Sequence, residues 1–228
     1  MSISFSMDAV VATSGSLGTA RIFMDKRLFD LVLCLLLLPM LAPLLLAIAL
    51  MVKLMSPGPV FYLGARVGLN GKLFLIIKFR TMIVDAESVG FGPSTAHNDP
   101  RVTAIGRFLR RHKLDELPQL FNILKGEMSF VGPRPQVERF TRLYSSDEQI
   151  ILTVRPGLTD YASIKFANLG ELLGDDDIEA KYLREIEPEK NRLRIKYVRE
   201  KSLLVDIKIL LLTGLRLLHL SVPWKLVE

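Results

Sequence analysis

The sequence predicts a mostly helical α+β protein with an N-terminal proline-broken membrane helix, a small β-hairpin and amphipathic interfacial helices around a compact domain. Three observations lead to this prediction. The run Leu31–Val52 has no charged residue, Asn70-Gly71 separates two short apolar runs of the kind that form strands, and later segments repeat apolar residues at helical spacing. Half of the 228 residues are hydrophobic although 30 are basic, so we expect apolar surface outside a soluble core.

The N-terminal third predicts a leader followed by a membrane segment. Residues 1–20 are small, polar and weakly patterned, which predicts a disordered leader, and residues 21–55 contain the long apolar run. Twenty-two apolar residues would span ~33 Å as a straight helix, enough to cross a bilayer. Pro39 and Pro43 each remove a backbone donor in the middle of that run. Basic residues flank both ends, which places both on the cytoplasmic side, so we predict a re-entrant hairpin, with a proline-kinked span as the alternative.

Charge and cysteine content limit which partners the protein can bind and which cysteine-based sites it can contain. The net charge of +6 is compatible with nucleic acid, anionic lipid or phosphorylated substrates. Cys34 is the single cysteine of the sequence, which excludes an internal disulfide framework and a cysteine-based metal site.

Basic residues follow the second predicted strand and the next predicted helix. The strand Leu73–Ile77 runs directly into Lys78 and Arg80, a basic strand end that a solvated rim would explain equally well. Asp99-Pro100 predicts an N-cap and a first-turn proline for a helix that carries Arg110 and Arg111 at its end.

The central feature of the chain is the adjacent pair Asp115 and Glu116. Pro118 follows closely, and because proline is tolerated in a first helical turn, we predict a helix that begins near Asp115 and ends at Gly126. An aspartate at that position is often only an N-cap. Arginines before the pair, and the rigid loop Gly132–Pro135 with Arg134 after it, favour a site that holds a phosphate and a metal ion.

The C-terminal third predicts a turn and two helices. Arg155 lies in a turn before Pro156-Gly157, and Glu187-Pro188 begins a long charged helix. The segment 203–228 starts with a nearly aliphatic stretch that Asp206 and two basic residues interrupt, so we predict an amphipathic, membrane-associated helix rather than a span.

The chain resembles the bacterial sugar transferases that act on polyprenyl phosphate, the monotopic phosphoglycosyl transferases, and its length resembles their minimal members. The order and spacing of several motifs together make the resemblance specific. These motifs are Lys26–Asp30, the proline-broken membrane segment, Lys78–Met82, Asp115–Asn122, Met128–Pro135 and Val154–Thr159.

The resemblance implies a reaction. A UDP-sugar gives its sugar-1-phosphate to undecaprenyl phosphate through a covalent aspartyl intermediate, and UMP leaves. The family's Asp-Glu dyad falls on Asp115, the implied nucleophile, and Glu116, whose role stays open between metal and incoming phosphate. Both carboxylates are the implied ligands of Mg²⁺. The candidate substrate-binding residues are Lys78, Arg80, Arg110, Arg111, Arg134 and Arg155.

The resemblance also implies a place in the cell. Residues 56–202 would form a catalytic domain on the cytoplasmic face of the bacterial inner membrane, in contact with membrane lipid, with no nucleic-acid partner and with a homo-oligomer left open. Two segments depart from the family pattern: Ala42-Pro43 replaces Ser-Pro at the helix break, and Thr159–Phe166 differs from the usual sequence. The second departure leaves the sugar unnamed.

Two other classes of function compete with this interpretation. A membrane glycosyltransferase would release UDP, but such enzymes usually carry a nucleotide-binding parallel sheet, and the sequence has no alternating strand–helix series. A basic peripheral protein would bind anionic lipid or nucleic acid and dissociate at high salt.

Overall fold

A computed structural model describes residues 7–86, 99–167, 182–218 and 220, with side chains described from residue 25 onward. The helices are α1 Met7–Met55, α2 Ala104–Arg111, α3 Leu120–Lys125, α4 Glu138–Thr141, α5 Tyr161–Lys165, α6 Glu187–Glu200 and α7 Leu203–Leu217. The strands are β1 Phe61–Val67, β2 Leu73–Phe79, β3 Ser129–Val131 and β4 Gly157–Thr159. Short 3-10 helices span Leu69–Gly71, Leu114–Gln119 and Glu148–Thr153, and a π-helical turn spans Tyr182–Ile186. The prediction of a mostly helical α+β protein is confirmed.

Helix α1 runs without interruption through Pro39 and Pro43. It begins at Met7, inside the segment predicted to be a leader, whose residues 1–6 lie outside the described part of the chain. Its portion Asp25–Met55 is long and apolar enough to cross a membrane. The helical state of this segment is therefore as predicted, while the re-entrant path and the role of the prolines remain predictions.

The first part of α1 is fastened to the rest of the protein by polar contacts. The Arg27 guanidinium donates to the carbonyls of Ile123 (2.6 Å) and Leu124 (2.9 Å), which are orphan acceptors at the C-terminal end of α3. The buried Asp30 carboxylate accepts from the backbone N–H of Phe130 at 3.1 Å. These contacts explain why charged residues precede the apolar run: they cap and support elements of the domain.

The second part of α1 packs on the same domain through apolar side chains. Ile48 and Val52 are buried in a cluster with Phe79, Ile105 and Leu109. Asp30 and Ile48 are 18 residues apart, roughly 27 Å along a helix. One domain thus holds α1 near both ends of its apolar run.

Strands β1 and β2 form the predicted hairpin. They pair antiparallel, with Phe61 opposite Phe79 and Val67 opposite Leu73. Asn70 and Gly71 both adopt positive φ angles, 55° and 76°, which asparagine and glycine tolerate better than other residues. The Asn-Gly signal therefore predicted the turn for the correct physical reason.

The predicted N-cap of α2 is wrong. The helix begins after Thr103, whose hydroxyl accepts from the Gly106 N–H at 3.0 Å. Asp99 instead accepts from the backbone N–H of Arg101 at 2.9 Å and from its guanidinium Nε at 3.0 Å. A charged partner two residues away uses the carboxylate that would otherwise have capped a helix.

Helix α7 has apolar residues on both its inner and its outer face. Ile209 and Leu212 are buried in the main hydrophobic cluster, on the same side as the buried Asp206. Leu204 and Leu211, on the outer side, are 80% and 66% exposed. The outer face of a helix on a soluble protein is usually polar, so the exposed leucines agree with the predicted interfacial helix.

Candidate active site

The Asp115-Glu116 pair lies at the start of a continuous helical segment, residues 114–125. A 3-10 helix, Leu114–Gln119, leads directly into α3, and Gly126 ends it with φ of 85°. The sequence placed the start and the end within one residue but predicted an α-helix throughout. The first turn is 3-10 because Pro118 has no N–H to donate to the carbonyl of Leu114 four residues earlier.

Asn122 ties this segment to β2. Its Oδ1 accepts from the Ile77 N–H at 2.9 Å, and its Nδ2 donates to the Leu75 carbonyl at 2.8 Å. The side chain is fully buried, so these bonds replace water that would otherwise satisfy the amide. The bond to Ile77 sets the position of the next residue, Lys78, relative to Glu116.

Glu116 accepts from two cationic side chains. Lys78 Nζ donates to Oε1 at 2.9 Å, and Arg134 donates through Nη1 to Oε2 at 3.0 Å and through Nη2 to Oε1. The arginine contact is two-pronged, the strongest geometry for a guanidinium–carboxylate pair. We call Lys78, Glu116 and Arg134 the Glu116 cluster.

The backbone around Arg134 is fixed by the parallel strands β3 and β4. A Cβ atom at Gly157 would overlap the backbone of Gly132, so this close approach requires glycine. Buried Asp160 completes the arrangement: its Oδ2 accepts from the Arg134 N–H at 3.4 Å and its Oδ1 accepts from the Ser163 N–H at 2.6 Å. The Gly-Pro-Arg-Pro loop therefore presents Arg134 from a rigid support.

The charges of the Glu116 cluster shift one another's pKa values. Burial raises the pKa of Glu116, but the neighbouring Arg134 and Lys78 charges outweigh burial and hold it well below its usual range. The Glu116 charge in turn raises the pKa of Arg134. Burial lowers the pKa of Lys78, against the attraction of Glu116. Glu116 is consequently ionised and accepts hydrogen bonds from both Lys78 and Arg134.

Asp115 is in a different state from its neighbour. It is buried, and among the described residues it has no hydrogen-bond or ion-pair partner. Burial, and next the negative charge of Glu116, raise its pKa, while Lys78 and Arg110 oppose that shift. Asp115 is therefore a desolvated carboxyl group that lies in the field of the Lys78, Arg110 and Arg134 charges.

Arg110 lies beside this pair on α2. Its Nε donates to the Thr81 hydroxyl at 2.8 Å, and its charge acts on Asp115. Burial lowers the pKa of Arg110, and Asp115 opposes that shift. The structure thus brings together Asp115, Glu116, Lys78, Arg110 and Arg134 of the predicted site.

Three other predicted arginines lie outside this group. Arg80 is buried, and its Nη2 donates to the Ser56 carbonyl at 2.6 Å. Arg111 is exposed at the end of α2. Arg155 donates through Nε to the Gly126 carbonyl at 3.0 Å, at the opposite end of the 114–125 segment from Asp115.

Sequence reasoning missed Lys190, a residue of α6 that the charges of Arg134 and Asp160 reach. Its ammonium lies 4.8 Å from the Tyr182 ring centroid and 5.6 Å from that of Phe166. Burial, and then nearby positive charge, lower its pKa to about 8. Lys190 lies in a helix with many charged residues, and nothing in the sequence distinguishes it from the other basic residues there.

The residues present fit a magnesium ion held mainly by substrate. In the part of the chain that the structure describes, no three His, Cys, Asp or Glu side chains converge as metal ligands. Mg²⁺ is commonly held by one or two carboxylates together with substrate phosphates. Asp115 can supply one such carboxylate, whereas both oxygens of Glu116 already accept from Lys78 and Arg134.

Comparisons with known proteins identify relatives of this chain. The family model for bacterial sugar transferases matches residues 20–219. An undecaprenyl-phosphate glucose phosphotransferase of Komagataeibacter xylinus is 43% identical over 197 residues, covering 83% of this chain and 35% of that protein. A UDP-glucose:undecaprenyl-phosphate glucose-1-phosphate transferase of Escherichia coli K12 is 42% identical over 191 residues, with coverages of 82% and 39%.

A shorter relative has a similar length to this chain. The exopolysaccharide production protein ExoY of Sinorhizobium fredii is 38% identical over 203 residues, which cover 83% of each protein. The chain therefore spans well under half of the first two relatives and most of the third. Because the family model covers nearly the whole sequence, this chain belongs to the bacterial sugar transferase family.

Proposed function

We propose that this protein transfers a sugar-1-phosphate from a UDP-sugar to undecaprenyl phosphate and releases UMP. The names of two relatives, which are undecaprenyl-phosphate sugar phosphotransferases, support the class of reaction. The observation that carries the mechanism is the contrast between the two adjacent carboxylates. Glu116 is fully engaged by cations, and Asp115 has no protein partner among the described residues.

In the first step Asp115 acts as the nucleophile. A carboxylate oxygen of Asp115 bonds to the phosphorus that carries the sugar, as the bond from that phosphorus to the bridging oxygen of UMP breaks. UMP leaves with both electrons of the broken bond. The product is a phosphosugar ester of Asp115.

Fixed cations lower the barrier of this step. Phosphoryl transfer depends mainly on positioning and on neutralising the oxygens of the transferred group. Arg110, Lys78 and Arg134 supply three positive charges that act on Asp115. Mg²⁺, bound by Asp115 and the diphosphate, would add further neutralisation and orient the phosphates. Glu116 then acts as a positioning residue that holds Lys78 and Arg134 in place.

In the second step the lipid resolves the ester. A phosphate oxygen of undecaprenyl phosphate bonds to the same phosphorus, and the bond to the Asp115 oxygen breaks. The carboxylate is regenerated, and the product is a polyprenyl diphosphate sugar. Both steps use the same cations, since both develop charge on the same phosphoryl oxygens.

The packing of α1 supports a membrane arrangement. If the apolar run crossed the bilayer away from the domain, it would contact the domain near one of its ends only. Here Arg27 and Asp30, near one end of the apolar run, and Ile48 and Val52, near its other end, all contact one domain. We therefore favour a re-entrant or in-plane α1 at the bacterial cytoplasmic membrane, with the domain facing the cytoplasm.

The covalent mechanism is tested with the Asp115→Asn variant. The purified chain is incubated with Mg²⁺ and a panel of UDP-sugars labelled in the sugar, without lipid, and protein-bound label is measured. We expect stoichiometric label on the wild-type protein with the accepted sugar, none on Asp115→Asn, and UMP as the released nucleotide. Asp147→Asn, a change of the same kind at an exposed position, is the control and should label normally. Labelling of Asp115→Asn, or release of UDP instead of UMP, would contradict the mechanism.

A further inference from the structure

A cavity lies away from the Glu116 cluster, where Asp25 and Lys26 of α1 meet the junction of α6 and α7. It encloses about 700 Å³, including its open mouth. Its walls are Asp25, Lys26, Val154, Arg155, Tyr197, Lys201, Ser202, Leu203 and Asp206. Nothing in the proposed reaction uses this cavity.

The cavity is positively charged on balance. Lys26, Arg155 and Lys201 line it, against Asp25 and Asp206. Asp206 is already engaged, since it accepts from Lys26 and, at 2.8 Å, from the Tyr197 hydroxyl. Burial, and next the charge of Lys26, lower the pKa of Lys201. Two ammonium groups thus act on each other in a partly desolvated space, which an anion would stabilise.

Exposed apolar side chains follow the lining residues of the cavity along α7 and α1. Leu203 lines the cavity and is 40% exposed. Leu204, the next residue of α7, is 80% exposed, and Leu28, two residues after Lys26 on α1, is 63% exposed. If the apolar faces of α1 and α7 enter a bilayer, these residues lie at the acyl-chain boundary and the cavity lies at the level of the headgroups. Cations at that level attract anionic lipids.

The cavity is distinct from the candidate active site. Arg155 contacts the carbonyl of Gly126, at one end of the helical segment whose other end holds Asp115. Eleven residues of 3-10 and α-helix separate the two, which corresponds to roughly 18 Å.

We propose that this cavity binds the phosphate of an anionic phospholipid of the surrounding membrane, with the acyl chains along the exposed faces of α1 and α7. Lys201, Lys26 and Arg155 contact the phosphate, and Leu203 contacts the first part of the chains. The bound lipid connects the part of α1 around Lys26 to the α6–α7 junction. The proposal needs membrane association but does not depend on the proposed reaction.

The test is lipid binding by the full chain in detergent, without any nucleotide sugar. Native mass spectrometry is used to measure the affinity for dioleoyl phosphatidylglycerol and for dioleoyl phosphatidylcholine, which have identical acyl chains. We expect one phosphatidylglycerol to bind in preference to phosphatidylcholine. Lys201→Gln should weaken that binding about tenfold, because one charge-assisted contact is lost.

The matched control is Lys208→Gln, which removes the same charge from an exposed position on α7, outside the cavity. It should change the affinity for phosphatidylglycerol less than twofold. Equal weakening by both variants would mean diffuse attraction and would overturn the site, as would equal affinity for the two lipids. Displacement by undecaprenyl phosphate, with a raised KM for that lipid in Lys201→Gln, would assign the cavity to the acceptor and also overturn the proposal. Equal Tm values show that the variants are folded.

Discussion

Two partly buried carboxylate clusters of this protein are built from similar residues but have opposite electrostatic properties. In the Glu116 cluster, Arg134 and Lys78 hold the pKa of the acid below its usual range. In what we call the Asp206 cluster, Lys26, Tyr197 and Asp206, burial raises the pKa of the acid in spite of the Lys26 ion pair. The first cluster lies in the candidate active site, and the second joins α1, α6 and α7.

The difference teaches that the number and type of cations decide the state of a buried acid. One ammonium and a neutral hydroxyl do not offset the desolvation of Asp206, whereas a two-pronged guanidinium plus an ammonium do so for Glu116. The extra cation is also what a phosphate-binding site needs. The Asp206 cluster serves as a structural connection, while the Glu116 cluster keeps a strong positive field beside Asp115.

Among changes to the two clusters, we expect the largest loss of activity when the Arg134 guanidinium is replaced. Arg134→Lys keeps the charge but cannot donate to both oxygens of Glu116 or of a phosphate in one plane. We expect kcat to fall at least about tenfold, which corresponds to about 1.4 kcal/mol of transition-state stabilisation. UMP release with saturating UDP-sugar and undecaprenyl phosphate measures it.

The control for this variant is Arg142→Lys, which changes an exposed arginine that pairs with Glu138 at 2.9 Å. It should leave kcat unchanged. If Arg134→Lys also keeps the wild-type rate, Arg134 contributes only a general positive charge. The two-pronged contact with Glu116 would then not be needed for catalysis.

A smaller effect concerns stability against pH, where the two clusters should act with opposite sign. A depressed folded-state pKa, as for Glu116, adds stability above the unfolded pKa of about 4.3 that is lost as pH falls. A raised folded-state pKa, as for Asp206, adds stability at low pH that is lost as pH rises through the folded value. We therefore expect the Tm of Glu116→Gln to fall less on acidification than the Tm of the wild type. The Tm of Asp206→Asn should fall more than that of the wild type.

Each group can change the slope by up to about 1.4 kcal/mol per pH unit. Tm values of the detergent-solubilised protein between pH 6.5 and 2.5 measure the slopes, because the Glu116 effect falls below its unfolded pKa of about 4.3 and the Asp206 effect falls above its unfolded pKa of about 3.9. Glu138→Gln, at an exposed ion pair, should leave the slope as in the wild type. Slopes that shift in the same direction for Glu116→Gln and Asp206→Asn would refute the opposite assignments.

The smallest expected effect is a difference in thiol labelling, which shows on which side of the membrane the segment before Lys26 lies. Asp206 holds Lys26 against the domain, so the proposed topology places residue 14 on the cytoplasmic side. A cysteine at Ser14, in a Cys34→Ser background, should react with a membrane-impermeant thiol reagent only after the cells are opened. Lys72→Cys, on the hairpin turn, is the cytoplasmic control.

Labelling of the Ser14 cysteine in intact cells would mean that α1 spans the bilayer. The same assay on a Pro39→Ala/Pro43→Ala variant tests the role of the prolines, because a straightened helix should expose part of the population to the reagent. If the double variant stays unlabelled in intact cells, the prolines do not determine the topology. The contacts of Lys26, Arg27 and Asp30 with the domain would then be its cause.

Local signals predicted local structure well. The hairpin followed from Asn70-Gly71, the end of α3 from Gly126, and the helical state of α7 from its aliphatic stretch, because each depends on φ preferences or periodicity within a few residues. The N-cap of α2 was predicted wrongly because Arg101 competes for Asp99. For the candidate site, the sequence identified Asp115, Glu116, Lys78, Arg110 and Arg134 correctly as neighbours.

The sequence by itself determined which residue types are available: an acidic pair before a proline, a rigid Gly-Pro-Arg-Pro loop and a long apolar helix with basic flanks. Only the tertiary structure decided that Glu116 is engaged and Asp115 is not, and that Arg155 lies at the cavity beside the α6–α7 junction. The physical reason is that the state of a carboxylate depends on burial and on cations from distant segments. Arg134 is 18 residues from Glu116 and Lys78 is 38, and chain separation contains no information about such distances in space.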